Sequence, residues 1–308
     1  MNIETICYTT RNKKKLLMDG YMDSLTRRKD PMPVLLYLHG GAFNSGSRVN
    51  KLQTFYCNHF AEKGFAVFSI DYRLTLKRAC ANTQNILKAV EYGVEDLADA
   101  TAYICDIAEK WGLDRNKILV SGSGAGAIIA LTAEYQICRG RITTLPSGFN
   151  FAGIIANAGA VITDTNELEW DEPPCPILLM HGNSDQFIAF NKFFVPGMLW
   201  AGSNYLHNQF QQQNIPHWFY EEKGADHIVA IKPLQRQINE METFVEKFVM
   251  MGQRSFVHTV WEDEQPDQMK DITNIAPLYL EGWEKREDID SLIKELSLIH
   301  ISEPTRPY

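Results

Sequence analysis

The sequence of 308 residues lacks the features that mark several large classes of protein. No hydrophobic stretch approaches the ~18 residues that a membrane-spanning helix needs. The six cysteines are widely scattered and form no C-x-x-C pair, so we expect reduced thiols rather than a disulfide framework or a zinc site. The amino-terminal region is polar and has no apolar segment typical of a signal peptide, so we expect a cytoplasmic protein.

Basic residues are also in short supply. Lys and Arg number 30 against 38 Asp and Glu, giving a formal net charge of -8. The only basic clusters, residues 11–15 and 27–29, lie among polar residues near the amino end, where we expect solvated loops. Because nucleic-acid binding calls for a basic stripe, this balance argues against a nucleic-acid partner.

Hydrophobic residues make up 45% of the chain, enough for the core of one large domain. Strand-like and helix-like runs alternate up to about residue 253, which predicts an α/β fold with a mostly parallel central sheet and helices on both faces. Helical spacing predicts helices over Glu91–Trp111 and from Leu234 to Phe248. The predicted strands are Leu16–Tyr21, Val34–Leu38, Ala66–Asp71, Ile118–Val120, Phe151–Asn157, Ile177–Met180 and Trp218–Tyr220.

We assign residues 1–253 to one domain. Residues 194–215 interrupt the alternation and are predicted either as a cap insertion over a site or as a covering surface loop. Residues 254–296 are rich in acidic residues and are predicted as a tail that wraps the domain or is partly disordered. Residues 297–308 resemble translated sequencing-adapter read-through, as in metagenomic assemblies, and are excluded from the fold prediction.

The most informative motif is a glycine-rich turn between a predicted strand and a predicted helix. The strand Ile118–Val120 leads into Ser121-Gly122-Ser123-Gly124-Ala125-Gly126, and an apolar helical pattern follows. Strand, turn and helix in this order form the setting in which α/β-hydrolases present a serine within G-x-S-x-G. Here the residue between the outer glycines is Gly124.

Four further motifs each follow a predicted strand. They are His39-Gly40-Gly41-Ala42-Phe43, Asp71-Tyr72-Arg73-Leu74, His181-Gly182-Asn183-Ser184-Asp185 and Gly224-Ala225-Asp226-His227. In order and spacing, these motifs and the turn resemble the esterase branch of the α/β-hydrolases. The resemblance is to the carboxylesterase, hormone-sensitive-lipase-like and feruloyl- or acetyl-xylan-esterase-like groups, and it covers about residues 5–250.

The resemblance implies a role for each motif. The backbone amides of Gly41, Ala42 and Ala125 would form an oxyanion hole, Asp185 would be the triad acid, and His227 would be the base. His39, Gly40, Asp71 and Arg73 would support the oxyanion loop. Two plainer interpretations remain open: a turn that needs glycine for its backbone alone at residues 40–41, and an ordinary Asx turn at Asp185.

Two other assignments follow from the same motifs. Asp226 is a rival acid, although adjacent loop residues rarely point at one another. His59, His207, His217 and His258 lie outside the motifs, so we expect them at the surface.

The turn can be aligned in two registers. The unshifted register places Gly124 at the nucleophile position, whereas a shift by one residue makes Ser123 the nucleophile. We favour the unshifted register, because the shift would misalign Ser123 with the oxyanion amides, and a misplacement of ~1 Å can cost about a hundredfold in rate. Glycine also adopts the strained backbone of such an elbow without a Cβ clash.

Two functions are therefore predicted. The first is a serine-type carboxylic-ester hydrolase that acts by acyl transfer on a small-molecule ester with a short or aromatic acyl group, impaired by Gly124. The second is a catalytically inactive hydrolase-fold protein that binds an ester or acid. Neither requires a cofactor or a metal ion, because triad chemistry needs none. The sequence gives no prediction of oligomeric state.

Overall fold

Residues 2–22, 30–76 and 82–262 are described by a computed structural model. The strands are β1 (Asn2–Arg11), β2 (Lys14–Met22), β3 (Met32–Leu38), β4 (Ala66–Ile70), β5 (Leu113–Ser123), β6 (Gly153–Asn157), β7 (Ala160–Thr163), β8 (Ile177–Gly182), β9 (Lys192–Val195), β10 (Met198–Gly202), β11 (His217–Lys223) and β12 (Phe256–Glu262). The α-helices are α1 (Lys51–Glu62), α2 (Thr83–Trp111), α3 (Ala125–Cys138), α4 (Ser203–Gln212), α5 (Pro233–Arg236) and α6 (Ile238–Phe244). A 3₁₀ helix covers His227–Ala230 and a π-helical turn covers Val245–Met250.

Nine strands form one sheet in the order β1-β2-β4-β3-β5-β6-β8-β11-β12. From β4 to β12 every neighbouring pair is parallel, while β2 pairs antiparallel with both β1 and β4. The carboxyl ends of the parallel strands therefore lie along one edge of the sheet, where α/β folds place their binding sites. A second sheet of three strands has the order β7-β10-β9.

Helices cover both faces of the large sheet. Successive strand residues point to opposite faces, so Leu36 packs in a cluster with α2 and α3, while Leu35 packs in a second cluster with α1 and α6. The longest helix, α2, begins at an Asn82 N-cap and ends at Gly112, whose φ of 65° is left-handed. The predicted α/β fold with a mostly parallel, two-sided sheet is confirmed.

All seven predicted strands are present in the large sheet, and the two sheets together also contain five strands that were not predicted. Each unpredicted strand is short, lies at the edge of a sheet or is only partly buried; these strands are β1, β7, β9, β10 and β12. β12 lies within the segment interpreted as a tail and is the edge strand beside β11. The remainder of that segment, and residues 297–308, fall outside the described residues.

One local expectation also differs from the structure, and one is left open. The cluster at residues 11–15 belongs to the β1–β2 hairpin rather than to a loop, because Arg11 pairs with Lys14 across the turn. Residues 194–215 contain β10 and α4, of which α4 packs against β8 and β11, while the cap over a site stays a prediction. In the described part of the chain, no helix is both long and apolar enough to cross a membrane.

Candidate active site

The loop after β3 is held in an unusual backbone conformation. Gly41 has a φ of 115°, and Ala42 and Phe43 follow with φ values of 53° and 58°. A Cβ at Gly41 would collide with the backbone of Ser45, because the amides of Asn44 and Ser45 fold back to donate to the Gly41 carbonyl at 3.0 Å each. Glycine is therefore required here for both conformation and space.

This folding leaves backbone donors available. Among the described residues, the N–H groups of Gly41, Ala42 and Ala125 donate no hydrogen bond. Ala125 is the first residue of α3, where the helix dipole adds partial positive charge. Unpaired amides of this kind can stabilise a developing oxyanion without any rearrangement at the moment of reaction.

Tyr72, which lies just after β4, contacts the start of this loop. Its hydroxyl donates to the His39 carbonyl at 2.8 Å, and its ring stacks on the His39 ring with centroids 4.5 Å apart. His39 Nδ1 lies 2.6 Å from the Gly40 carbonyl oxygen. Burial lowers the pKa of His39 from 6.5 to about 4, so the ring is neutral near pH 7. His39 therefore acts as a packed, uncharged part of the loop.

The two charged residues of the Asp71–Leu74 motif each form an ion pair with a different segment of the chain. Asp71 accepts from Arg48 at 2.8 Å. Arg73 donates from Nε to both oxygens of the buried Asp96 carboxylate on α2, at 2.9 and 3.0 Å. The motif thus anchors the chain that follows β4, and Tyr72 is its member in contact with the loop after β3.

The turn between β5 and α3 is a sharp elbow. Gly124 has φ 52° and ψ -112°, its N–H donates to the Asn157 carbonyl at 2.9 Å, and its carbonyl accepts from Ile128 at 2.9 Å. A Cβ at Gly122 would lie less than 3.0 Å from the backbone of α3, and a Cβ at Gly126 equally close to the end of β3. The outer glycines therefore allow the elbow to approach the end of β3 and the loop that follows it.

Ser123 faces away from this turn. It is fully buried, and its hydroxyl lies 3.0 Å from the Tyr37 hydroxyl. Two residues earlier, Ser121 accepts a hydrogen bond from Tyr56 at 2.9 Å on the same face of β5. These hydroxyls form a layer beneath the sheet, packed among side chains of the α1 face.

Asp185 and His227 are in direct contact. His227 Nδ1 lies 2.7 Å from Asp185 Oδ2, and the Asp185 side chain is fully buried. The carboxylate accepts at this distance, so Nδ1 carries the proton and the neutral ring keeps its lone pair at Nε2. No described group makes a hydrogen bond with His227 Nε2. The pair has the arrangement of an acid that orients a base.

Asp185 has further partners. Its Oδ1 accepts the N–H groups of Phe187 and Ile188 at 2.8 and 3.0 Å. Burial alone would raise the pKa of Asp185, but His227 and His181 more than offset it, and the pKa lies well below its usual range. The side chain is therefore a carboxylate at neutral pH.

Sequence reasoning did not foresee the position of His181. Its Nε2 lies 3.2 Å from Asp185 Oδ2, and its Nδ1 lies 2.8 Å from the Ser203 hydroxyl at the start of α4. The i, i+4 spacing of His181 and Asp185 was visible in the motif, but Ser203 lies too far along the chain for any local signal. Segment 194–215 thus contacts the acid through one histidine.

The loops that carry Asp185 and His227 are fastened to each other. Ser184 N–H donates to the Ala225 carbonyl at 3.0 Å, and Gly224 N–H donates to Asn183 Oδ1 at 2.8 Å. Asp226, the rival acid, instead accepts from Ile228 N–H at 2.9 Å and caps the 3₁₀ helix that begins at His227.

The expectation that four other histidines lie at the surface was wrong for two of them. His207 and His217 are 5% and 1% exposed, and their Nδ1 and Nε2 atoms lie 2.7 Å apart. Burial is the main cause that lowers the pKa of His207 to about 4, and it also lowers the pKa of His217. They lie buried between α4 and β11 because aromatic rings surround them, including Phe219 and Phe210.

Comparison with known proteins places these motifs in context. The family described as BD-FAE matches residues 18–143. The chain is 31% identical over 162 residues to esterase LipC of Mycobacterium tuberculosis, covering 49% of this chain and 34% of the relative. It is 30% identical over 145 residues to 2-hydroxyisoflavanone dehydratase of Glycyrrhiza echinata, covering 44% of this chain and 42% of the relative. The chain spans less than half the length of the curated relatives it matches.

A solved structure shares the fold over most of both chains. The propionate-bound esterase Est2 of Thermogutta terrifontis aligns with a TM-score of 0.60 and 16% identity, covering 80% of this chain and 94% of that one. At this identity the likeness shows the fold alone. The motifs described above lie on the strand ends of that fold.

Proposed function

Because the chain is an α/β-hydrolase of the carboxylesterase-like group, we propose that its site binds carboxylic esters in the geometry of acyl transfer. His227 is the base, Asp185 orients it, and the amides of Gly41, Ala42 and Ala125 hold the substrate carbonyl oxygen. Gly124 stands at the nucleophile position, so ester hydrolysis by the chain as it stands is weak. The substrate is a small ester with a short or aromatic acyl group.

The observation that carries this proposal is the buried Asp185–His227 hydrogen bond of 2.7 Å, with Nε2 of His227 left without a partner in the part of the chain that the structure describes. A buried carboxylate and imidazole at this spacing stabilise the imidazolium that forms when the base takes a proton. The unpaired amides of the loop and the elbow supply the complementary site for negative charge.

The conformation of Gly124 supports the unshifted register. Its φ of 52° and ψ of -112° form a conformation that glycine adopts freely, that strains a residue with a Cβ, and that is found at functional turns. Ser123 is sealed on the other face of β5 against Tyr37, which argues against it as a substitute nucleophile.

The test is to supply the missing oxygen. Gly124→Ser should raise hydrolysis of p-nitrophenyl acetate by orders of magnitude, since loss of a triad serine costs on the order of a millionfold in kcat. Gly124→Ala is the matched control, because it imposes the same backbone strain without a hydroxyl. A fluorophosphonate probe should label residue 124 of the serine variant, mapped by peptide mass spectrometry.

Two outcomes would contradict the proposal. Labelling of the unmodified protein at Ser123 would establish the shifted register. A folded Gly124→Ser variant with no gain over Gly124→Ala would favour the second candidate, a hydrolase-fold protein that binds an ester or acid without acyl transfer. The glycine at position 124 is the observation that favours this second candidate.

The relatives are not all named for ester hydrolysis, since one is named a dehydratase. Removal of water from a carbonyl compound requires a base and stabilisation of an oxyanion, but no nucleophilic hydroxyl. The groups retained in this chain are compatible with that requirement.

A further inference from the structure

Within the described residues, the Asp185 carboxylate accepts four hydrogen bonds, and only one of them comes from the base. Its Oδ2 accepts from His227 Nδ1 at 2.7 Å and from His181 Nε2 at 3.2 Å. Its Oδ1 accepts the N–H groups of Phe187 and Ile188 at 2.8 and 3.0 Å. The side chains of Asp185 and His181 are both fully buried. A buried donor that shares Oδ2 with the base restricts the rotation of this carboxylate.

The tautomer of His181 is set by Ser203, the first residue of α4. A carboxylate can only accept, so His181 Nε2 carries the proton and the neutral ring has a lone pair at Nδ1. The Ser203 hydroxyl lies 2.8 Å from this Nδ1 and 3.5 Å from the Gly159 carbonyl oxygen, so its stronger bond is the one that it donates to the histidine. Ser203 is fully buried. The hydroxyl therefore keeps the proton of His181 on the nitrogen that faces Asp185.

The first turn of α4 is itself fixed to the loop between β8 and β9, which carries the acid. Gly202 N–H donates to the Asn191 carbonyl at 2.9 Å, and Asn204 N–H donates to the Phe190 carbonyl at 2.9 Å. A Cβ at Gly202 would collide with the Ala189 carbonyl oxygen, because the two backbones are in direct contact. Backbone bonds on both sides of position 203 therefore hold its hydroxyl at a defined place relative to the acid loop.

We propose that His181 and Ser203 are positioning residues, which hold the Asp185 carboxylate against His227 and connect it to α4. The inference rests on the proposed function, because it concerns the same acid and base. Three successive hydrogen bonds link the start of α4 to the base, through His181 and Asp185. A displacement of α4 would therefore change the orientation of the base.

A merely structural role for Ser203 predicts a different behaviour. Loss of its hydroxyl would then lower the stability of the fold and leave His227 as it is. In a positioning role, loss of the hydroxyl leaves His181 Nδ1 without its donor, so that the other tautomer competes and the Asp185 carboxylate is free to rotate. The hydrogen bond to His227 Nδ1 then weakens, and the rate falls, since a misplacement of ~1 Å can cost about a hundredfold.

The first measurement is NMR of the unmodified chain carrying 15N-labelled histidine, which requires no catalytic turnover. The ring nitrogen shifts report which nitrogen carries the proton, and His227→Gln assigns the signals of the base by their loss. We expect His227 protonated at Nδ1 and His181 at Nε2. Ser203→Ala should move His181 towards the other tautomer and shift the Nδ1 signal of His227. The matched control is Thr101→Val, which removes another buried hydroxyl, one that bonds to the Leu97 carbonyl within α2.

Two substitutions of His181 test the second bond of the series. His181→Leu removes the donor to Asp185 and should shift the Nδ1 signal of His227. His181→Gln keeps an N–H close to the position of Nε2, so it should return that signal towards its place in the unmodified chain.

The second measurement is hydrolysis of p-nitrophenyl acetate in the Gly124→Ser background. Adding Ser203→Ala or His181→Leu should lower kcat about tenfold to a hundredfold with KM nearly unchanged, because the acid acts on the chemical step. Thr101→Val should leave both constants within about twofold of the parent.

Circular dichroism and urea unfolding identify the folded variants, and Ser203→Ala decides the test if His181→Leu does not fold. An unshifted His227 signal in folded Ser203→Ala, or an equal shift in Thr101→Val, would overturn the positioning role. A proton on Nδ1 of His181 in the unmodified chain would overturn it as well. A shifted His227 signal without any esterase gain in Gly124→Ser would instead contradict the proposed function and leave the positioning of Asp185 standing.

Discussion

Gly126→Ala should destabilise the protein far more than a methyl addition at a glycine in an open turn. The added Cβ would lie 2.7 Å from the His39 carbonyl oxygen and closer still to the Leu38 carbonyl, whereas ordinary contact begins at 3.4 Å. Both obstacles are backbone, so no rotamer change relieves the collision. The start of α3 must move away from β3 by about 1 Å, which overpacking studies associate with a cost of about 3 kcal/mol.

The matched control is Gly140→Ala. Gly140 has a φ of 62°, and no atom lies within 4 Å of the position of its Cβ. It therefore reports the cost of a left-handed backbone alone, roughly 1–2 kcal/mol. The Gly126 variant measures the cost of close approach between α3 and β3, and the Gly140 variant measures the cost of a left-handed backbone. The two reasons for which a position requires glycine are therefore measured separately.

Urea unfolding followed by circular dichroism is the assay, with the midpoint and the slope compared between variants. Gly126→Ala should also lower the melting temperature by roughly 6 °C or more. In the Gly124→Ser background the same change should reduce ester turnover about a hundredfold, because a ~1 Å shift of the Ala125 amide misplaces an oxyanion donor. Equal stability of Gly126→Ala and Gly140→Ala would refute the argument that the elbow is fixed by backbone contact.

Three further predictions concern the groups around the site. Tyr72→Phe removes the 2.8 Å hydrogen bond to the His39 carbonyl and should cost about 1 kcal/mol in urea unfolding, together with a loss of kcat in the Gly124→Ser background. The pKa of His39 falls from 6.5 to about 4 on folding, so the unfolded chain binds the proton at a higher pH than the folded chain does. The free energy of unfolding should therefore drop as the pH falls from 6.5 towards 4. An unchanged urea midpoint across this window would contradict the burial argument. Ser123→Ala should leave p-nitrophenyl acetate hydrolysis by Gly124→Ser within twofold, and a larger loss would assign the buried hydroxyl a part in the reaction.

The fold was predictable because its signals are local. Each long central strand is an apolar run bounded by a turn, as at Val34–Leu38 and Ile177–Met180, and buried strands of a parallel sheet have this pattern. β12 was missed for the opposite reason: its residues alternate between exposed and partly buried positions, and only its pairing with β11 places it in the sheet. Whether such an edge strand forms therefore depends on tertiary contact rather than on local sequence.

The same distinction applies to the site. The motifs identified Asp185 and His227 because each residue follows a strand whose carboxyl end lies at one edge of the sheet, and the hydrogen bond between them agrees with that placement. The contacts of His181 with Ser203 and of Tyr72 with His39 connect segments remote in sequence. The burial of His207 and His217 likewise depends on aromatic neighbours from two elements, which no motif records.

The alternation of side chains along β5 bears most directly on function. Leu119, Ser121 and Ser123 share one face of the strand, and the first of them packs in the core on the α1 side. Because Ser123 lies on the same face as this core leucine, its side chain points into the core, where its hydroxyl lies 3.0 Å from that of Tyr37. The residue that leaves this alternation is the one at the turn, Gly124, whose backbone carries the positive φ. A hydroxyl at position 124 would therefore not be directed into this core as Ser123 is, and this is why the serine replacement tests the chemistry of the site.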